Sequence, residues 1–480
     1  MRRRTTRGAA GALVLCALSA AALTTAAPGP ATAQTAPPPF TEVAVTTTLP
    51  AVADTYLSAP PSQRPPGGTA PRLVVDGDPR RQAFLRFAVP DYEGRLRSAT
   101  LRLHVADLPG AGSAQGGVVR RSSDVTWAES VTWAARPVLD GALAGSLGPV
   151  QRNTWVDLPV TALVRRGLPL TLGIGSNHPN DVAYDSRGTG LGPRLVLDLD
   201  APPDGVVVAA VGDMVCSSIH DVTATTCHQD QVSDLLVADP ELDAFLALGD
   251  LQYPGGTLSD FQQHYDPSFG RVLGLTHPVV GNHKYQTPDA AGYFDYFGAA
   301  AGPPQKGWYS FDLGSRWHLV ALNSNCGEVA CGNGSLQLDW LRADLRANDR
   351  PCVLAYWHHP RWSSGSNPRV DNSVEPFFRV LAHHGAELAL NGHVHSYERF
   401  APRRADGVAV THGLREIVIG TGGRSVGPEH GFEDPPLPNS QHRIAGVFGL
   451  ARLVLTDTGY WWSFVDETGR VRDSGSTRCH

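Results

Sequence analysis

Phe245-Leu-Ala-Leu-Gly-Asp-Leu-Gln-Tyr253 is a short apolar run that breaks at Gly249 and ends in an acid and a phenol. A few consecutive apolar residues bounded by a turn signal read as a strand buried on both faces. The same grammar recurs around it. Val206 to Val211 runs into Gly212-Asp213, and His277 to Val280 into Gly281-Asn282-His283. Val353 to Tyr356 runs into His358-His359-Pro360, and Leu388 to Leu390 into Asn391-Gly392-His393-Val394-His395. Between these runs, Leu336, Leu338, Trp340, Leu341 and Leu345 recur at helical spacing, as do Val374, Phe377, Phe378 and Leu381. Strands alternating with helices make an α/β domain, whose ligands gather at the carboxyl ends of the strands. Five separate segments therefore bring two Asp, a Tyr, an Asn and three His to one rim.

The residue types narrow the chemistry. Carboxylate, phenol, amide and imidazole are oxygen and nitrogen donors without a thiolate, a set that suits Fe, Mn or Zn. His393 and His395 stand two apart and can address two adjacent cations from one turn. Asp250 is the carboxylate to be shared between them. Two metals about 3.5–4 Å apart clamp the attacking and leaving oxygens of a phosphoryl displacement, and each acidifies bound water. Alone, each cluster is weak, because Gly-Asp after a strand is usually just a turn. Five such clusters, each closing a buried strand, define a metal site.

Outward from that core, 480 residues are enough for two or three domains. Hydrophobic residues at 42% and charged ones at 18% are globular composition, not that of a disordered tail. The cations are nearly all Arg, with Lys284 and Lys306 the two lysines. A net charge of -6 without basic blocks argues against a nucleic-acid scaffold role or binding to anionic membranes. The N-terminus reads as a secretory signal over 1–33: Arg2, Arg3, Arg4 and Arg7, an apolar stretch from Gly8 to Leu23, then Ala31-Thr32-Ala33 as the cleavage site. Its removal takes the charge to -10 and Cys16 with it. Leu15 before Cys16 does not fit a lipid-anchor site, and no other segment is long and apolar enough to span a bilayer. No membrane anchor is therefore expected. Six cysteines remain, an even number that suits disulfides in an exported chain. Proximity pairs Cys216 with Cys227 and Cys326 with Cys331, leaving Cys352 with Cys479; buried free thiols are the alternative.

A Pro-rich linker covers 34–40. From 41 to 200 short β-branched runs alternate with Gly, Pro, Asp and Asn. Arg81-Gln82-Ala83-Phe84-Leu85-Arg86-Phe87 alternates as a half-buried strand does, and the stretch reads as an all-β sandwich. The character changes at Ala201-Pro202-Pro203-Asp204-Gly205, and 205–480 forms the α/β domain.

Two resemblances follow. Gly212-Asp213, Gly249-Asp250-x-x-Tyr253, Gly281-Asn282-His283, His358 and Gly392-His393-x-His395 resemble the calcineurin-like metallophosphoesterases, and most closely their purple acid phosphatase branch. Tyr253 discriminates: many relatives have Asp-x-His at the first cluster, where this chain has Val215. The resemblance extends over Trp308-Tyr309-Ser310-Phe311-Asp312, Gly420-Thr421-Gly422-Gly423 and Ser396-Tyr397-Glu398-Arg399. It implies a four-layer sandwich of two mixed sheets flanked by helices. It implies one metal on Asp213, Asp250, Tyr253 and His395, and a second on Asp250, Asn282, His358 and His393. His358 is preferred to His359 because the family pattern is His-x-Pro. The implied pair is Fe(III) with Fe, Zn or Mn. Asn282, His283 and His359 would contact substrate, and His283 would protonate the departing alkoxide; a structural contact is the plainer role for His283. Lys284 departs from the acid the family usually has there. A phenolate on ferric ion would colour the protein violet.

Before that domain, Asp54-Thr55-Tyr56, Phe84-Leu85-Arg86-Phe87, Leu101-Arg102-Leu103, Trp127 to Trp133 and Tyr184-Asp185-Ser186-Arg187 resemble DNRLRE-type β-sandwich domains, which are similar to a carbohydrate-binding module family. A glycan is the partner this implies. Trp127 and Trp133 read first as core and only second as sugar-stacking platforms, since Trp is highly buried on average. No acidic run specifies a calcium site. The leading expectation is a secreted dimetal phosphatase that hydrolyses phosphomonoesters by in-line attack of a metal-bound hydroxide. A phosphodiesterase or nucleotide-cleaving enzyme would need the same clamp. A polysaccharide-binding protein with an inactive phosphatase-like domain is the third reading, opposed by retention of every inferred ligand.

Overall fold

The computed structural model describes residues 45–61, 70–200, 204–218, 220–365 and 369–480. The basic-apolar leader over 1–33 and the linker over 34–40 lie outside the described residues.

The front of the chain forms two antiparallel sheets. One has the order Val45–Pro50, Arg194–Leu199, Leu96–His104, Trp155–Pro159. The other runs Val182–Asp185, Arg72–Gly77, Arg80–Phe87, Leu170–Gly175, Gly117–Ser122, Leu143–Leu147, with Ala53–Ser58 also paired to Arg80–Phe87. Strand side chains alternate between faces. Ala99, Leu101 and Leu103 are therefore fully buried while Thr100 and Arg102 between them are not. They share one core with Leu195 and Leu197 of their own sheet and with Leu73, Val75, Leu85 and Leu172 of the facing one. This is the expected β-sandwich.

Trp127 is a core residue, 5% exposed, with its indole N–H donated to Thr171 Oγ1 at 3.2 Å. Trp133 is half-buried against the same small cluster, with the Arg136 guanidinium 4.2 Å from its ring centre.

Behind it stand two mixed sheets. The six-stranded one has the order Thr276–Pro278, Leu242–Ala247, Val206–Val211, Gly449–Leu455, Gly459–Asp466, Val471–Arg478; its first three strands are parallel and the rest antiparallel. The seven-stranded one runs Tyr309–Leu313, Trp317–Ala321, Cys352–Tyr356, Leu388–Asn391, Arg415–Ile419, Tyr397–Phe400, Ser440–Ile444. Period-two alternation sets the layers. Leu354, Tyr356, Leu388, Leu390, Ile417 and Ile419 face the six-stranded sheet. Val353, Ala355, Ala389 and Val418 face outward onto Leu338, Leu341, Phe377, Phe378 and Leu381. Those outer residues lie on the helices Leu336–Ala347 and Glu375–His383, which fall where the apolar spacing predicts. Ser335 caps the first by accepting the Leu338 N–H at 3.2 Å. Helix Gln229–Ala238 adds Val232, Leu235 and Leu236 to the core of the six-stranded sheet. The result is the four-layer arrangement.

The front sandwich packs on the antiparallel half of the six-stranded sheet. Val454 and Trp461 of that sheet belong to the sandwich core, and Thr456 Oγ1 donates to the buried Glu93 carboxylate at 2.8 Å. The parallel half is left to carry the rim. Three disulfides, Cys216–Cys227, Cys326–Cys331 and Cys352–Cys479, match the pairing by proximity. No helix among the described residues is long and apolar enough to cross a membrane.

Candidate metal centre

Each strand meets the rim through a tight turn. Asp213, Asp250 and His393 all take left-handed backbone, with φ of 60°, 48° and 69°. That conformation costs a non-glycine residue roughly 1–2 kcal/mol, and three cases at one rim mark a site held by its surroundings. The turns are laced together: Asp213 N–H donates to Gly249 O at 3.1 Å and Gly392 N–H to His358 O at 3.0 Å. Glycine is required where they touch. A Cβ on Gly249 would stand 2.5 Å from His358 Nδ1, and one on Gly392 would stand 2.8 Å from Asp213 Oδ2.

The side chains then converge. Tyr253 Oη lies 2.8 Å from Asp213 Oδ1, 3.0 Å from Asp250 Oδ2 and 3.3 Å from His395 Nε2. His395 Nε2 is 3.2 Å from Asp213 Oδ1. On the other side of Asp250, His358 Nε2 is 3.3 Å from Oδ2 and 3.1 Å from Asn282 Oδ1. The His393 ring centre lies 5.1 Å from that of His358, and its backbone N–H donates to Asp213 Oδ2 at 2.6 Å. The six other residues expected as ligands thus come together around Asp250. Asp213, Asp250 and His358 place ligand atoms within 4.8 Å of one another, and so do His358, His359 and His393.

His283 sits at the edge of this group. Its backbone N–H donates to Asp250 Oδ1 at 2.9 Å, and its ring Nε2 is 3.9 Å from Oδ2 with the side chain 33% exposed. Nδ1 is 2.9 Å from Pro254 O. Gln286 Nε2 stands 3.0 Å from the same nitrogen, so Nδ1 is engaged and Nε2 is the nitrogen that faces the site. His358 is held likewise: its Nδ1 donates to Leu248 O at 2.9 Å, which turns Nε2 toward Asp250.

Burial and charge oppose each other here. Burial pulls His358 down, but the Asp250 carboxylate outweighs it and holds the imidazole up at about 9. His393 is pushed down to about 4 by burial and by neighbouring His358. His359 is driven well below the usual value for the same reasons. Burial, then Asp213 and Asp250, push the Tyr253 phenol well above its usual range. Lys284 is fully buried behind the site, with Nζ donating to Gly255 O at 2.6 Å and lying 5.6 Å from the Tyr253 ring centre. Burial pushes it down to about 8 against the pull of Asp250.

The reading from sequence missed the groups that orient the ligands. Ser425 Oγ stands 2.8 Å from His395 Nδ1 and 3.0 Å from His430 Nε2, and the His430 ring stacks on His395 at 4.3 Å. Ser324 Oγ stands 2.9 Å from His359 Nδ1. The one available signal was the neighbourhood of Gly420-Thr421-Gly422-Gly423, two residues before Ser425.

A buried rim of Asp, Tyr, Asn and His at the ends of parallel strands, on two facing mixed sheets, is the construction of a calcineurin-like phosphoesterase. The model of that family matches residues 206–397, and the model of carbohydrate-binding module family 96 matches residues 45–198. Purple acid phosphatase 21 of Arabidopsis thaliana is 30% identical over 344 residues, covering 64% of this chain and 72% of that protein. Purple acid phosphatase 22 of the same plant is 27% identical over 307 residues, covering 59% and 65%. A solved purple acid phosphatase from yellow lupin seeds aligns with TM-score 0.47 at 14% identity, covering 85% of this chain and 74% of the other. Within the calcineurin-like phosphoesterases, the chain belongs to the purple acid phosphatase family. It is a phosphatase, a metal-dependent hydrolase of phosphoric esters.

Proposed function

We propose that the chain is an exported phosphatase that hydrolyses phosphomonoesters at a two-metal centre. The observation that carries this is the position of Asp250, 1% exposed, with a phenol on one side of Oδ2 and an imidazole on the other. Asp213, Tyr253 and His395 would hold one cation, Asn282, His358 and His393 the other, and Asp250 both. The residues fit such ions. A phenol has one proton, yet Tyr253 Oη is within hydrogen-bond distance of two buried carboxylates. It can satisfy only one of them, and a cation among the three oxygens relieves the other. The donor set suits Fe(III) on the tyrosine side with Fe, Zn or Mn on the other.

Bound there, two cations would neutralise the phosphoryl oxygens and acidify a coordinated water. The chain's own part is positioning and one proton. Asn282 and His283 border Asp250 and would hydrogen-bond the phosphoryl group. His283 Nδ1 is engaged by Pro254 O and Gln286, so the proton given to the departing alkoxide would come from Nε2. Export is supported by the basic-apolar-small N-terminal order and by three disulfides.

Metal quantitation alongside p-nitrophenyl phosphate and bis-p-nitrophenyl phosphate tests the reading. Two metals per chain with faster monoester turnover is the expected result. Faster diester turnover overturns the substrate assignment, and fewer than two metals in fully active protein overturns the centre.

A further inference from the structure

We propose that His359 is a further ligand of the second cation, giving that half-site three imidazoles and a preference for a nitrogen-loving divalent ion over an oxygen-loving one. The inference rests on the two-metal reading and assigns His359 to the metal rather than to the substrate.

Three observations carry it. The rings of His358, His359 and His393 form a closed triangle, with centres 4.9, 5.1 and 4.5 Å apart. One nitrogen from each lies within 4.8 Å of the others. Imidazole nitrogens on one tetrahedral ion are about 3.4 Å apart at ordinary bond lengths, so side-chain adjustments of about an ångström close the triangle on a single ion.

The His359 ring is also braced as a ligand is braced. Ser324 Oγ lies 2.9 Å from Nδ1 and accepts the His359 backbone N–H at 3.0 Å. The residues on either side of Ser324 are held in turn: Asn323 N–H donates to Gln337 Oε1 at 2.7 Å, and Asn325 Nδ2 donates to Val280 O at 3.0 Å. Nε2 is therefore the nitrogen left for a ligand. His358 and His395 repeat the pattern, each with Nδ1 tied to an oxygen and Nε2 beside an aspartate. A tied second nitrogen is the usual mark of a metal-binding histidine.

Lastly, the two sides of Asp250 differ in donors. The Tyr253 side has one imidazole, His395, while the Asn282 side has three. Adding imidazoles to a site steepens its preference along the order Mn, Fe, Co, Ni, Cu and favours Zn over Mn and Mg.

The test uses the full-length protein, loaded with iron at the first site and titrated with Zn(II) or Mn(II) against a competing chelator. His359→Val is expected to weaken zinc on the order of 100-fold while changing manganese much less, so that the zinc-to-manganese ratio collapses. Zinc-edge X-ray absorption of the unmutated protein should count three imidazoles. A count of two, or an unchanged ratio in a folded His359→Val protein, overturns the proposal. The absorption measurement decides the matter if the variant does not fold. Failure of the underlying reading looks different: the unmutated protein would then take up no second metal at all.

Discussion

Around Asp213 the close neighbours are a phenol at 2.8 Å and one imidazole at 3.2 Å. Around His358 they are an amide at 3.1 Å and two further imidazoles. Both neighbourhoods share Asp250, and both grow from the same strand–glycine–turn grammar. They differ in which element delivers the fourth group. On the oxygen-rich side it is Tyr253, one short turn beyond Asp250. On the nitrogen-rich side it is the His358-His359 pair at the end of Cys352–Tyr356. Two sites of different affinity can thus be built from one carboxylate without separate folds. The oxygen-rich half suits a highly charged cation, and the nitrogen-rich half a divalent one.

Removing the shared residue should abolish the difference altogether. Asp250→Ala is expected to empty both halves, dropping metal content from two per chain to below one. Turnover of p-nitrophenyl phosphate should fall by on the order of 10³-fold or more, because the charge stabilisation of both ions goes with it. Retention of two metals would break the comparison at its root.

Next in size is a substitution that strikes one half alone. Asn282→Ala removes the amide 3.1 Å from His358 Nε2. It should release the second metal and cost roughly 10²–10³-fold in kcat, the range for a lost electrostatic partner of the reacting group. The violet absorption should survive, since Tyr253 belongs to the other half. Colour lost together with the second metal would mean that the halves are not separable.

Tyr253→Phe strikes the opposite half and should do the reverse. The visible absorption should bleach while the second metal stays, with activity lowered by only about 10-fold because Asp213, Asp250 and His395 remain to hold the cation. Colourless unmutated protein at full iron occupancy would remove Tyr253 from the ligand set.

How far each half could be read from sequence follows the same physics. Asp213, Asp250, Asn282, His358, His393 and His395 each close a buried apolar run, so local pattern was enough to place them at one rim. The disulfides were legible because two of the three pairs are near neighbours in the chain. Trp127 was legible as core from its size alone. The braces were not legible. Ser324 and Ser425 come from irregular loops and His430 from the single turn Pro428–His430, and they act on rings 35, 30 and 35 residues away. Such partners are chosen by the completed fold, not by any local period. Lys284 was seen as a departure in the Asn-His motif, but not as a buried charge, because lysine is seldom fully buried. Its place depends on Gly255 O and on the Tyr253 and Phe261 rings, which only the fold assembles.

The smallest expected effect sharpens the comparison most, because it touches no ligand. Ser425 Oγ takes the His395 Nδ1 side and passes the contact on to His430 Nε2. On the nitrogen-rich half the equivalent brace of His358 is a backbone carbonyl, Leu248 O, which no side-chain change can remove. Of the two histidines whose Nε2 stands beside an aspartate, His395 is therefore the one whose orientation can be loosened by a single hydroxyl. Ser425→Ala should weaken the first metal by about 10-fold, at the lower end for a group that orients a ligand, and shift the visible band without bleaching it. The second metal should be unaffected, and Ser425→Thr, which restores the hydroxyl, should recover the first. If instead Ser425→Ala releases the second metal as readily as the first, the brace serves the whole rim and not the His395 half.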